Sequence, residues 1–193
     1  MISNNSLSIM IVGVGGQGTL LASRILGNLF INQGYDVKVS EVHGMSQRGG
    51  SVVTYVKFGG KVQSPIIDKG EADIILAFEE LEAYRYLPYL KKGGTIVCNS
   101  QNIDPMPVII GAKKYPEDII NKIKEKNIEI ISVNADELAM QAGNIKTVNV
   151  VLLGILSKLT EIDESLWIES VKSTVPAKVV DVNVSAFKIG RNV

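Results

Sequence analysis

An apolar run that ends in glycines constrains this chain more than any other feature. Residues 8–14 read SIMIVGV, and Gly15 and Gly16 follow at once. A run without hydrophobic alternation suits a strand buried on both faces of a parallel sheet. Residues 17–33 then carry Leu21, Ile25 and Leu29 at helical spacing, so one helix face can lie on that sheet. Gly34 stands where a helix C′ residue is expected, and residues 35–42 read as a second strand. Strand, glycine turn, helix and strand predict a βαβ unit with a right-handed crossover.

The remaining segments extend this pattern. Residues 51–58, the Gly59-Gly60 pair and residues 61–64 predict an antiparallel hairpin, because two glycines suit a primed turn. Residues 73–78, 95–98 and 128–133 read as further strands. Residues 79–90, 116–126 and 135–142 read as helices, the first broken near Pro88 and the second with proline in its first turn. Residues 147–159 are apolar nearly all round, which predicts a buried helix. Residues 163–173 predict another helix, with Trp167 on its apolar face, and the tail from Pro176 reads as a strand or a short helix. The expected fold class is α/β: a Rossmann-like three-layer domain with a mostly parallel sheet and an inserted antiparallel hairpin.

Composition narrows the function classes. The chain has 193 residues, of which 46% are hydrophobic, enough for one domain spanning residues 1–193. Twenty basic and twenty acidic side chains cancel, so no global field favours nucleic acid or an anionic membrane. The single cysteine, Cys98, allows neither an internal disulfide nor an iron–sulfur cluster held by this chain alone. No apolar run reaches the ~20 residues of a membrane span, and no basic leader precedes the first strand, so a cytoplasmic protein is expected.

Two stretches carry the candidate chemistry. In Gly13-Val14-Gly15-Gly16-Gln17-Gly18 the spacing is G-x-G-x-x-G after a strand and before a helix. There Gly13 suits a tight turn, Gly15 lets phosphate approach the backbone, and Gly18 lets the helix lie close to its strand. Unpaired N–H groups at the helix start favour an anion. The same glycines also suit packing with no ligand. Glu41, late in the second strand, is the candidate ribose-binding acid of a dinucleotide site, although it runs directly into a loop rather than a second crossover helix. That loop, HGMSQRGG, gathers His43, Met45, Ser46, Gln47, Arg48, Gly49 and Gly50. Arg48 offers a planar fork of donors for phosphate or carboxylate. His43 titrates near neutrality, and the glycines let backbone N–H groups face a ligand. Both loops are expected at the carboxyl edge of the sheet, where open α/β folds bind ligands. No Walker lysine, G-x-S-x-G or H-E-x-x-H is present, so no self-contained catalytic set is visible.

GVGGQG, HGMSQRGGSV, EADIILAFEELEAYRYLPYLKKGGTIVCNS, TVNVVLLGIL and TVPAKVVDVNVSAFKIG together resemble the gamma-type subunit of 2-oxoacid:ferredoxin oxidoreductases over nearly the whole chain. The resemblance implies a coenzyme A-dependent oxidative decarboxylation of an aryl 2-oxoacid such as indolepyruvate, with ferredoxin as acceptor. It places thiamine diphosphate and the [4Fe–4S] clusters on an alpha-type partner subunit and coenzyme A handling on the gamma-type module. On this reading residues 15–18 receive an anionic group such as a coenzyme A phosphate. Arg48 adds charge, Gly49 and Gly50 clear space, and His43, Met45, Ser46 and Gln47 line an inter-subunit pocket. The alternatives are a stand-alone NAD(P)-dependent dehydrogenase and a non-catalytic interaction module, and a homodimer is a candidate state of the isolated chain.

Overall fold

The structure is a computed structural model and describes residues 6–43 and 50–193. One six-stranded sheet runs β2-β3-β1-β4-β5-β6, built from β1 (Ser6–Val14), β2 (Asp36–His43), β3 (Ser51–Gly59), β4 (Ala72–Ala77), β5 (Leu90–Asn99) and β6 (Glu129–Val133). The pairs β1–β4, β4–β5 and β5–β6 are parallel, and β3 lies antiparallel between β1 and β2. Ile9, Met10, Ile11 and Val12 of β1 have no solvent exposure, as a central strand covered on both faces requires.

One face carries α1 (Thr19–Asn32), α5 (Ala135–Ala142), α6 (Val148–Ser157), α7 (Glu164–Thr174) and α8 (Val180–Arg191). The other carries α2 (Glu80–Arg85) and α4 (Ile119–Lys124), while the four-residue α3 (Met106–Ile109) lies between β5 and α4. Helix α1 buries Ala22, Ile25, Leu26, Leu29 and Phe30, the expected stripe. It ends as foreseen at Gly34, which sits at φ 84° while the Tyr35 N–H reaches back to the Phe30 carbonyl at 3.2 Å. Helix α6 is buried from Asn149 to its end at Ser157. It crosses α8 at a pair of glycines: a Cβ on Gly154 would lie 2.2 Å from the Phe187 carbonyl oxygen, and one on Gly190 2.0 Å from that of Val151. Among the described residues no single helix is long and apolar enough to cross a membrane.

Two local expectations need correction, the hairpin's partner and the start of α4. The antiparallel hairpin joins β2 to β3, not residues 51–58 to 61–64. Because β3 is paired along both sides, with β1 and β2, it has no free edge for residues 61–64; the Val62 N–H instead caps the Asp36 carboxylate at 2.9 Å. For the same reason β2 is not the neighbour of β1, so β1-α1-β2 is a crossover that skips one strand. Helix α4 begins only at Ile119, because Asp118 before it has φ 54° and breaks the helical path from Pro116. Of the two readings of the tail from Pro176, the helix is the one found, as α8.

Candidate functional site

The strand directions bring the carboxyl ends of β1, β2, β4, β5 and β6 and the start of β3 to one rim. There Val14 lies opposite Ser51, and His43 closes β2 opposite Val52. The Gly15 N–H donates to the Gly50 carbonyl at 2.9 Å, so the first glycine loop and the end of the HGMSQRGG loop are hydrogen-bonded to each other. Gly44, Met45, Ser46, Gln47, Arg48 and Gly49 lie outside the described residues.

The loop geometry redistributes the expected glycine roles. Gly13 is still in β1, and its missing side chain makes room for Gln17 Oε1, which would stand 2.8 Å from a Cβ there. The Gly15 N–H is engaged by Gly50 rather than turned to a ligand. Gly18 opens α1 at φ 84° and packs against Asn149 of α6, whose Nδ2 donates to the Gly18 carbonyl at 3.2 Å. Gly16 has φ 104° with open space where a Cβ would be. Two substitutions separate these roles. Gly16→Ala meets backbone strain alone, about 1–2 kcal/mol. Gly18→Ala adds a contact of 2.8 Å with Asn149 Nδ2 and should lower the unfolding midpoint more in the same denaturant titration.

Gln17 is a staple across three strand ends. Its Oε1 accepts the Val14 N–H at 2.7 Å, and its Nε2 donates to the Phe78 carbonyl at 3.0 Å and to Gln101 Oε1 at 2.8 Å. This fills the crevice between β1 and β4, the point where crossovers depart to opposite faces and where α/β folds usually admit a ligand. The opening lies beside it, on the α5–α6 side. A cleft of about 480 Å³ is lined by Gly16, Gln17, Gly18, Leu21, Gln101, Asp136, Ile145, Lys146, Val148 and Asn149. Helix α1 starts there with no side-chain cap, so its first N–H groups remain for a ligand. Lys146 is the one basic side chain among the described lining residues. Glu41 is remote from this cleft. Its strand is separated from β1 by β3, about 10 Å away at ordinary strand spacing, so it cannot hold a ribose as in a site where β1 and β2 adjoin.

On the opposite face the same rim holds carboxylates. Glu79, 1% exposed, accepts the N–H groups of Glu82 and Ile103 at 2.8 and 3.1 Å and the Tyr115 hydroxyl. Glu82 accepts from Ser51 Oγ, the first residue after Gly50, and pairs with Arg85 at 3.1 Å. Burial pushes the Glu82 carboxyl above its ordinary value, against the opposing pull of Ser51 and Arg85, and burial raises Glu80 likewise, with Glu79 adding to it. Burial, with Glu80 and Glu79 nearby, raises the Cys98 thiol far out of its reactive range, which leaves a small apolar side chain in the core. Among the described residues no group of three His, Cys, Asp or Glu could hold a metal ion.

A carboxyl whose folded-state pKa is raised binds its proton more tightly in the folded chain than in the unfolded one. Stability then falls as pH rises from the ordinary carboxylate range through the raised value, and nothing more is gained below that range. Glu82→Gln should therefore gain in melting temperature over the native chain near pH 7, and the gap should shrink as pH falls towards the ordinary glutamate range. Parallel thermal scans of the two proteins across pH check this.

Sequence spacing alone misses Gln101, Asp136, Lys146 and Asn149. They come from three separate segments, and only Asn149, a polar residue in an otherwise apolar helix, carried a visible signal. The G-x-G-x-x-G spacing located the cleft but not its walls.

The family model for pyruvate ferredoxin/flavodoxin oxidoreductase matches residues 8–193, and the chain belongs to that family. It is 46% identical over 188 residues to indolepyruvate oxidoreductase subunit IorB of Thermococcus kodakarensis, covering 95% of this chain and 93% of the relative. The keto/oxoacid ferredoxin oxidoreductase gamma subunit of Geobacter sulfurreducens shares the fold at a TM-score of 0.72 and 25% identity, over 96% of each chain. The 2-oxoglutarate:ferredoxin oxidoreductase of Magnetococcus marinus shows the same fold within a longer chain, with a TM-score of 0.73 and 20% identity over 98% of this chain and 31% of that one. The chain is thus a subunit of a 2-oxoacid:ferredoxin oxidoreductase.

Proposed function

We propose that this chain works in an indolepyruvate-type complex as the subunit that covers the active site and holds part of coenzyme A in the cleft beside Gly16 and Gly18. An aryl 2-oxoacid, coenzyme A and oxidised ferredoxin give acyl-coenzyme A, carbon dioxide and reduced ferredoxin. Thiamine diphosphate and the [4Fe–4S] clusters, held by the alpha-type partner, supply the decarboxylation and the electron path. One buried cysteine and the lack of a ligand cluster among the described residues do not fit a cluster on this chain. This chain's own residues offer a cleft, an uncapped helix start and Lys146. Roles toward coenzyme A or the partner subunit are proposed also for His43, Met45, Ser46, Gln47, Arg48, Gly49 and Gly50, of which Met45 to Gly49 lie outside the described residues. The complex is cytoplasmic, and ferredoxin docks through it.

The observation that carries this is the end-to-end match at 46% identity to a subunit of stated activity. The two glycine loops bonded through Gly15 and Gly50 support the site. A stand-alone NAD(P) dehydrogenase is disfavoured by the stapled β1–β4 crevice and by the remote Glu41. The test is reconstitution. The isolated chain should reduce no ferredoxin and bind no NAD tightly by calorimetry. Mixed anaerobically with its thiamine- and cluster-bearing partner, it should restore aryl-pyruvate- and coenzyme A-dependent ferredoxin reduction. Tight NAD binding, or full activity of the partner alone, would refute the proposal.

A further inference from the structure

Hydrogen-bond polarity at the cleft wall is forced by the backbone. A backbone N–H can only donate, so the Val14 N–H requires the oxygen of Gln17 at 2.7 Å. The Gln17 nitrogen is then fixed as the donor to the Phe78 carbonyl, which can only accept, and to Gln101. Gln101 must therefore present its oxygen to Gln17, which leaves its NH₂ group with no protein partner among the described residues, in the wall of the cleft. A second chain of the same kind ends beside it. The Ala135 N–H donates to Asn99 Oδ1 at 2.9 Å, which fixes Asn99 Nδ2 as the donor to Asp136 Oδ2 at 3.1 Å. Asn99 is fully buried, so this orientation is held by packing as well. Asp136 Oδ1 has no protein partner among the described residues, and Asp136 lines the same cleft.

The wall thus shows one neutral donor group and one acceptor of fixed identity, set among the apolar side chains of Leu21, Ile145 and Val148. Phosphate would match the donors and be repelled by Asp136. A secondary amide matches both, its carbonyl to Gln101 and its N–H to Asp136. We propose that Gln101 and Asp136 are specificity-determining residues that read an amide of the pantetheine arm, and that Gln17 and Asn99 are positioning residues that fix which atoms face it. This rests on the cleft holding coenzyme A. The pantetheine arm carries amide groups on an otherwise apolar chain, whereas the phosphates of the nucleotide end are left to Lys146 and the α1 start.

The experiment is steady-state kinetics of the anaerobically assembled complex with coenzyme A and with pantetheine as acyl acceptor, and adenosine 3′,5′-bisphosphate as inhibitor. Gln101→Glu keeps the oxygen that Gln17 needs and replaces the donor by an acceptor. It should raise KM for coenzyme A and for pantetheine by roughly ten- to a hundredfold. The kcat at saturation should stay within about twofold, and inhibition by the bisphosphate should be unchanged. Gln101→Met, which removes the amide without adding charge, should give a smaller rise of the same kind; thermal unfolding of Gln101→Glu should match the parent, and that of Gln101→Met should fall slightly through the lost bond from Gln17. Gln17→Met, which frees the Gln101 amide to turn, should raise KM more than it lowers kcat. Unchanged KM in the Gln101 variants, with a raised KM in Lys146→Ala and Gly18→Ala, overturns amide reading but keeps coenzyme A in the cleft. Unchanged KM in all four removes coenzyme A from the cleft altogether. Weakened assembly at unchanged KM assigns the cleft to a backbone segment of the partner polypeptide and likewise overturns the proposal.

Discussion

Replacing Gly190 by alanine should destabilise the chain by more than about 3 kcal/mol, a large share of the ~5–15 kcal/mol that holds a domain of this kind together. The new methyl group would stand 2.0 Å from the Val151 carbonyl oxygen and 2.8 Å from the Val151 carbonyl carbon, both backbone atoms. No rotamer change relieves contacts with main chain. The reciprocal contact, Gly154 against Phe187 and Arg191 at 2.2 and 2.8 Å, shows that α6 and α8 touch backbone to backbone at this crossing. Relief requires the two helices to separate, and α6 carries Asn149, the residue that holds the Gly18 carbonyl. Gly154→Ala should therefore match Gly190→Ala in equilibrium urea unfolding, and both should lower the midpoint strongly. Gly60→Ala is the control. Nothing lies within 4 Å of its missing Cβ, and its midpoint should stay near the parent's.

Glu79→Ala should cost about 2–4 kcal/mol, for a different reason. Glu79 is 1% exposed, yet it satisfies three donors from separate segments: the Glu82 N–H at the start of α2, the Ile103 N–H and the Tyr115 hydroxyl. Alanine leaves the Glu82 and Ile103 N–H groups without this acceptor, and the Tyr115 hydroxyl with only its longer contact to Asn102 Oδ1 at 3.4 Å. The excursion between β5 and α4 hangs on this carboxylate at two points, Ile103 and Tyr115, so its loss should show locally as well as globally. Amide exchange at Ile103 should accelerate more than exchange in β4, which the sheet protects on both sides. Glu79→Gln should fall between the two, because its nitrogen faces a donor where an oxygen stood. The Tyr115 hydroxyl, raised by burial and by its bond to Glu79, stays protonated near neutral pH and remains a donor.

The sheet was legible in the sequence because its strands are short apolar runs bounded by glycine and charge. The buried helix α6 was legible because VVLLGIL offers no polar face. The position of β3 was not. The Gly59-Gly60 pair suggested a local partner, whereas its real partners, β1 and β2, are set by which strand edges remain free once the sheet assembles. That single insertion moved Glu41 one strand away from the glycine loop and so removed the ribose site the spacing had suggested. The glycine loop itself pointed to the right rim, but the direction of its hydrogen bonds was hidden. Gly15 and Gln17, both expected to face a ligand, bond inward to Gly50, Val14, Phe78 and Gln101. The crossing of Gly154 and Gly190 was also hidden, because a glycine within a helix shows its reason only when the facing helix is present.

Hydrogen–deuterium exchange of the assembled, turning-over complex tests the central claim most directly, because the groups held to receive the ligand are themselves amides. Saturating coenzyme A should slow exchange in peptides spanning residues 16–22 and 144–149 and leave those spanning residues 57–64, on the opposite edge of the sheet, unchanged. Unaltered exchange at residues 16–22 and 144–149, in a complex whose activity depends on coenzyme A, would contradict it.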